Sequence, residues 1–284
     1  MTVWPHGRRC ALTLTFDFDA ETNWLSRDPA NAKRPGTLSQ GTYGARVGVP
    51  AVLSLLREEE LTGTFFIPGW VVENRTGRCE EILKDGHEVG HHGYLHKWVD
   101  PDRPEEELAE MEAGLDALRS KLGVVPAGYR SPAGETSPNL IRLLTEKGFL
   151  YDSSLMDSVE PYYHCLSGDR RGLVELPWHW SLDDAPFLLF AISSPRPIFT
   201  NEHILSIWKA EFEAIREMGG LINLVMHPQA IGRPSRIQML RRFIEFTRGF
   251  GDVWYATCSD VARHWSSQND FDPQDAAINP FIRV

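Results

Sequence analysis

A chain of 284 residues, 42% hydrophobic and without a long Ser/Gly/Pro linker, is compatible with one large α/β domain over residues 1–284. Its formal net charge of −10 argues against nucleic acid and against an anionic membrane surface as partners. Nowhere do eighteen apolar residues run together, the start of the chain carries no apolar signal core, and Cys10, Cys79, Cys165 and Cys258 lie far apart without C-x-x-C spacing, so a cytoplasmic protein with free thiols is expected.

Strand-like and helix-like stretches alternate along the chain. Strands are expected at 10–18, 61–67, 87–90, 126–130, 150–152, 173–181, 221–227 and 252–256. Helices are expected at 47–59, 70–84, 104–121, 137–147, 202–218, 234–249 and 258–265, with amphipathic spacing clearest in Glu105–Leu122 and His203–Met218. The alternation predicts a parallel sheet, open or closed into a barrel. Two stretches, 20–46 and 155–172, are too long for plain connections and read as loops that shape and roof a substrate site.

The first strand is an apolar run that stops at Asp17 and Asp19. Their i, i+2 spacing sends both carboxylates to one face, where one can bind metal while the other stays free as a base. Alone, such a pair is more often a turn device. The segment Gly86–His96 then places four of the ten histidines close together, and it contains two overlapping metal motifs. His87-Glu88-x-x-His91 has the zincin spacing, which needs a helix. Gly86, Gly90 and Gly93 oppose a helix there by about 1 kcal/mol each, and Gly93 and His96 fall one residue early for the extended motif. His92-x-x-x-His96, just past a short strand, can instead aim two imidazoles at one ion, with a carboxylate supplied from elsewhere.

Five segments in order, Thr15–Asp19, His92–His96, Tyr129–Gly134, Trp180–Asp183 and Leu224–Pro228, resemble the motifs of the polysaccharide deacetylase superfamily (NodB homology, carbohydrate esterase family 4). They span residues 15–228. Gly86–Gly90 with His92–Tyr94, Pro161–Tyr163, and Leu173–Pro177 ahead of Leu182–Asp184 resemble a compact intracellular branch that includes the Helicobacter peptidoglycan deacetylase, cyclic imidases and cofactor-free allantoinases. The resemblance implies an irregular (β/α) barrel of about seven parallel strands. Every candidate site residue would then sit at a strand's C-terminal end, where such folds place their sites.

The same resemblance implies roles. Asp19, His92 and His96 would hold one divalent ion, zinc first, with cobalt, nickel or iron as alternatives, leaving positions open for water and a carbonyl oxygen. Asp17 would be the general base, held charged and oriented by Arg130. The rigid turn after Arg130 (Ala133, Gly134, Glu135) suits backbone donation to an oxyanion, and Glu135 is the alternative base. His227 would be the general acid, oriented by Asp183. Trp24, Tyr43, Trp70, Trp98, Tyr162 and Trp180 could line a pocket, while His87 and His91 are the alternative ligands.

The expected activity is hydrolysis of a non-peptide C–N bond in a small molecule: a cyclic imide, a ureide or an N-acetyl sugar. A glycan N-deacetylase is the nearest alternative, and a metal-free binding protein on the same barrel is an alternative of another class. The branch also implies a homo-oligomer, a tetramer by resemblance.

Overall fold

The structure, a computed structural model, describes residues 2–191 and 195–274. Its frame is one sheet of nine strands: β1 (Cys10–Asp17), β2 (Thr64–Ile67), β3 (Glu88–His91), β4 (Gly128–Tyr129), β5 (Tyr151–Asp152), β6 (Tyr162–Leu166), β7 (Arg170–Glu175), β8 (Leu221–Met226) and β9 (Val253–Tyr255). The order is β6-β7-β5-β4-β3-β2-β1-β8, with β9 pairing the start of β1. All pairings are parallel except the β6–β7 hairpin. The β1–β8 and β1–β2 registers bring the C-terminal ends of these strands to one rim.

No continuous ladder joins β7 to β8. That seam is crossed by the Asn223 side chain, whose Nδ2 donates to the carbonyls of Leu176 (3.1 Å) and Pro177 (3.4 Å), and by an isolated bridge between Asp183 and Val225.

Period-2 alternation explains the layering. Leu12, Leu14 and Phe16 of β1 join the core under the helices Val49–Glu58, Asn201–Met218 and Pro234–Arg248. The other face of β1 carries Ala11, Thr13, Thr15 and Asp17, and forms a gradient inside the barrel. Ala11 lies in an apolar floor with Phe66, Tyr151, Val174 and Leu221, onto which the helix Cys258–Ser266 packs. Thr13 and Thr15 form a polar middle layer with Asn223. Each fully buried Leu or Phe contributes roughly 1.5–3 kcal/mol, so this shell fixes the frame around a polar interior.

Three expectations change. The stretch 155–172 is mostly the β6–β7 hairpin, turning at Gly168 (φ +73°) and Asp169 (φ +54°), so the strand read at 173–181 begins at Arg170 and ends at Glu175. The stretch 20–46 is largely helical, with the helix Pro35–Tyr43 running on into a π-helical turn at Gly44–Gly48. The helix read at 70–84 is two helices, broken at Arg75 (φ −133°). All four cysteines are free and buried. Among the described residues no helix is long and apolar enough to cross a membrane.

Candidate active site

The rim gathers its polar groups from the ends of β1, β3, β4 and β8 and from the segment that carries Asp183 and Asp184. Asp17 closes β1, and Asp19 follows it one residue before Ala20, which adopts a left-handed backbone (φ +46°). Asp19, His92 and His96 are fully buried, with one ligand-type atom from each within 4.8 Å of the others. His92 Nε2 lies 3.5 Å and His96 Nε2 3.6 Å from Asp19 Oδ1. His92 Nδ1 donates to the Arg130 carbonyl at 2.6 Å, which fixes the tautomer and leaves the Nε2 lone pair facing Asp19. Asp19 Oδ1 and His92 Nε2 are buried without hydrogen-bond partners.

Buried polar atoms are nearly always satisfied, so two orphaned acceptors converging on one point fit a cation. Burial opposes the Asp19 charge, but His96, His92 and His227 outweigh it and hold the carboxyl below its usual range. Burial lowers His96 to about 4, despite Asp19 pulling it upward, so its imidazole is neutral as a ligand requires.

The loop carrying the two histidines is clamped from behind. The Tyr94 and Leu95 amides both donate to Glu110 Oε2, at 3.0 and 2.8 Å. His91 Nδ1 accepts from the Gly93 amide at 3.0 Å, and its Nε2 donates to the Met111 carbonyl at 2.9 Å. His91 is therefore a brace for the loop. His87 Nδ1 accepts from the Gly63 amide at 3.2 Å. Glu88 faces the barrel floor, where it accepts from Tyr151 (3.0 Å), Thr64 (2.8 Å) and the Ser259 amide (3.0 Å). With residues 88–91 extended as β3 and Glu88 bound at the floor, the zincin alternative does not hold. His96 itself has φ +59°, a strained conformation of the kind that concentrates at functional sites.

Arg130 is 1% exposed and spends all its donors inside the barrel. Nη1 binds Asp17 Oδ1 and Thr15 Oγ1, both at 2.8 Å; Nη2 binds Ser153 Oγ (2.9 Å) and Asn223 Oδ1 (3.3 Å); Nε binds the Ser153 carbonyl (3.1 Å). Its guanidinium rests 4.3 Å above the Phe66 ring. Asp17 is thus aimed from one side, and its Oδ2 lies 3.8 Å from His92 Nε2.

After Arg130 comes a tight turn with Ala133 (φ +57°) and Gly134 (φ +72°) left-handed. The Gly134 and Glu135 amides donate within the turn, to Ser131 (3.0 Å) and Pro132 (3.3 Å). Ala133 N–H is the donor of this turn that remains free among the described residues.

His227 follows β8. Its Nδ1 pairs with Asp184 Oδ1 at 2.7 Å, and its own amide donates to the same carboxylate at 3.1 Å. Asp183 lies 3.6 Å from Nδ1 and accepts from the Ala185 amide at 2.6 Å. The close orienting carboxylate is therefore Asp184, one residue beyond the one expected. Burial works against a charge on His227, yet Asp183, Asp184 and Asp19 raise its pKa well above the ordinary value.

A cavity of about 460 Å³ opens above Asp17, His96 and His227 and is walled by Trp98, Trp178 and Trp180. Trp24 does not line it. That side chain is buried beside a neighbouring cavity, while Asn23 of the same short helix lines the site and donates to Asp19 Oδ2 at 3.1 Å. Tyr43 and Trp70 face a separate apolar groove of about 910 Å³. The 155–172 hairpin contributes nothing to the catalytic cavity; residues 178–189 supply that wall.

A family model described as polysaccharide deacetylase matches residues 39–151. A Mycobacterium smegmatis protein assigned to the polysaccharide deacetylases is 42% identical, with 94% of this chain and 93% of that one covered at a TM-score of 0.90. The chain belongs to the polysaccharide deacetylase family. The peptidoglycan deacetylase of Helicobacter pylori is 29% identical over 279 residues, covering 89% of this chain and 95% of its own length. PuuE allantoinase shares the fold at a TM-score of 0.82 and 24% identity, with 95% of this chain and 94% of that one covered. As a member of the deacetylase family, the protein is a hydrolase of carbon–nitrogen bonds other than peptide bonds.

Sequence reasoning missed several supports of this deacetylase site: Asn23, Glu110, Ser153, Asp184 and Asn223. All but Asp184 are isolated polar residues without motif context. Asp184 had a usable signal in the pair Asp183-Asp184 facing strand β8.

Proposed function

We propose that the protein is a metal-dependent amidohydrolase acting on a small substrate, a cyclic imide, a ureide or an N-acetyl sugar, with the chain working as one catalytic domain. The observation that carries this reading is the pair of orphaned acceptors, Asp19 Oδ1 and His92 Nε2, buried beside Asp17 at the base of the walled cavity. A divalent ion held by Asp19, His92 and His96 would supply Lewis-acid polarisation of the amide carbonyl and acidify water.

The chain's own residues do the rest. Asp17, aimed by Arg130, takes the proton of the attacking water. Ala133 N–H meets the oxygen that becomes negative. His227 gives its Nε2 proton to the leaving nitrogen, with Asp184 on Nδ1 keeping the ring oriented and charged. The volume of about 460 Å³ and the three indole walls support a compact substrate.

A second reading, glycan N-deacetylation, is favoured by the likeness to the Helicobacter pylori peptidoglycan deacetylase. Elemental analysis followed by a panel of imides, ureides, N-acetyl monosaccharides and chitin oligomers separates the two. About one divalent ion per chain and turnover of a small amide support the first reading. Rates that climb with oligomer length give the site to glycans. Full activity in protein stripped of metal removes the metal from the proposal.

A further inference from the structure

Two arginines line the catalytic cavity together with Asp17, His96 and His227: Arg27 and Arg196. Arg27 follows the short helix whose Asn23 binds Asp19. Arg196 lies between Pro195 and Pro197, whose fixed φ angles stiffen the backbone that carries it. Among the described residues neither arginine forms an ion pair or a hydrogen bond with the protein. Arg130 shows the opposite behaviour, with every donor used inside the barrel.

Three carboxylates line the cavity, those of Asp17, Glu135 and Asp183, and among the described residues none of them pairs with either arginine. Asp17 is held by Arg130 and Asp183 by the Ala185 amide. Asp28, next to Arg27 in the chain, caps the Ala30 amide at 2.9 Å. The two guanidiniums also sense each other. Partial burial lowers the Arg27 pKa first, Asp19 pulls it back up, and the charge of Arg196 lowers it further. In a chain whose net charge is −10, two neighbouring cations left without partners in the reaction cavity run against the overall balance.

We infer that Arg27 and Arg196 form an anion subsite, so that the substrate of the proposed amide hydrolysis is an amide that also carries a carboxylate. This rests on the cavity being the amide-hydrolase site proposed above. Guanidinium groups match a carboxylate through paired N–H donors, and a cavity with low-dielectric indole walls focuses their field. Glu135 and Asp183 line the same cavity, which favours a singly charged carboxylate over a doubly charged phosphate.

The test uses the full chain, loaded with zinc, and two matched pairs of probes: hydantoin against hydantoin-5-acetic acid, and N-acetylglucosamine against N-acetylmuramic acid. For each pair kcat/KM and the calorimetric Kd are measured in wild type, Arg27→Gln, Arg196→Gln and the double variant. The expected result is a preference of roughly tenfold or more for the anionic member of at least one pair, weakened by salt. Each single variant reduces that preference, and the double variant abolishes it. Arg27→Glu should turn the preference toward the neutral member.

Equal handling of neutral and anionic members by wild type, or a preference that survives in the double variant, overturns the subsite. Binding is read separately from turnover. If no probe is hydrolysed but the anionic members still bind more tightly through the two arginines, the subsite stands and the amide-hydrolase reading falls. Tighter binding of methyl phosphate than of acetate, lost in the double variant, would keep the cation pair but overturn the carboxylate assignment.

Discussion

At the scale of single residues, the site separates groups that the sequence places side by side. Asp17 and Asp19 leave β1 on one face, yet Asp17 is committed to Arg130 at 2.8 Å while Asp19 faces the two histidines. Asp17→Asn should therefore keep bound metal and lose turnover by roughly a hundredfold or more, the usual cost of removing a general base. His92→Ala should lose the metal and His87→Ala should keep it, since His87 only receives the Gly63 amide; elemental analysis of the three proteins checks both halves. Asp183 and Asp184 make a second such pair. Asp184→Asn should cost more in kcat than Asp183→Asn, because it is Asp184 that touches His227 Nδ1 at 2.7 Å; steady-state rates with equal effects in the two variants would count against it. Motif and spacing made Asp17, Asp19, His92, His96, Arg130 and His227 legible. The choice between two adjacent aspartates was not, because it depends on the register at which residues 183–184 meet Val225, which is a tertiary fact.

At the scale of elements, the two long stretches 20–46 and 155–172, read as loops for their length, were the main misreadings. Residues 20–46 contain Gly36, Gly41 and Gly44, but the chain there is mostly helical, and Gly41, Gly44 and the following Gly48 serve close contact. A Cβ on Gly41 would lie 2.3 Å from the Ala20 carbonyl oxygen, and one on Gly48 would lie 2.1 Å from that of Pro228. These helices thus press directly on the backbones beside Asp19 and His227. The β6–β7 hairpin was missed because Arg170 and Arg171 are exposed and charged, although Gly168-Asp169 was a usable turn signal. The helix Pro104–Leu122 gives the clearest test. A Cβ on Gly114 would sit 2.5 Å from His91 Nε2 and 2.7 Å from the Gly93 carbonyl oxygen. Gly114→Ala should destabilise the protein by about 1–3 kcal/mol, as overpacking does, and should weaken metal binding by displacing the loop between His92 and His96. Thermal melts and metal titration report the two effects; unchanged values in both would show that the loop is not braced from this helix.

For the molecule as a whole, the outer layer holds a second polar cluster that does not reach the cavity. Glu175 Oε2 pairs with His164 Nε2 at 2.8 Å, and its Oε1 accepts the Ser154 and Leu155 amides at 2.9 and 2.8 Å. Burial raises Glu175 to about 7, against those hydrogen bonds. A carboxyl whose folded pKa exceeds its unfolded value of about 4.3 favours the fold fully below that unfolded value, and the contribution is lost as pH rises through about 7. The melting temperature of the wild type should therefore fall between about pH 5 and pH 8. Glu175→Gln should flatten that fall; a slope identical to wild type would assign it to other groups.

The seam between β7 and β8 gives the barrel a clasp in place of a rivet line. One amide, that of Asn223, holds Leu176 and Pro177 with its nitrogen while its oxygen takes Arg130 and Thr13. Slipping that clasp would loosen the anchor of Asp17 before any ladder had to unzip. Mild denaturant should then silence the enzyme while its circular dichroism still reads as native.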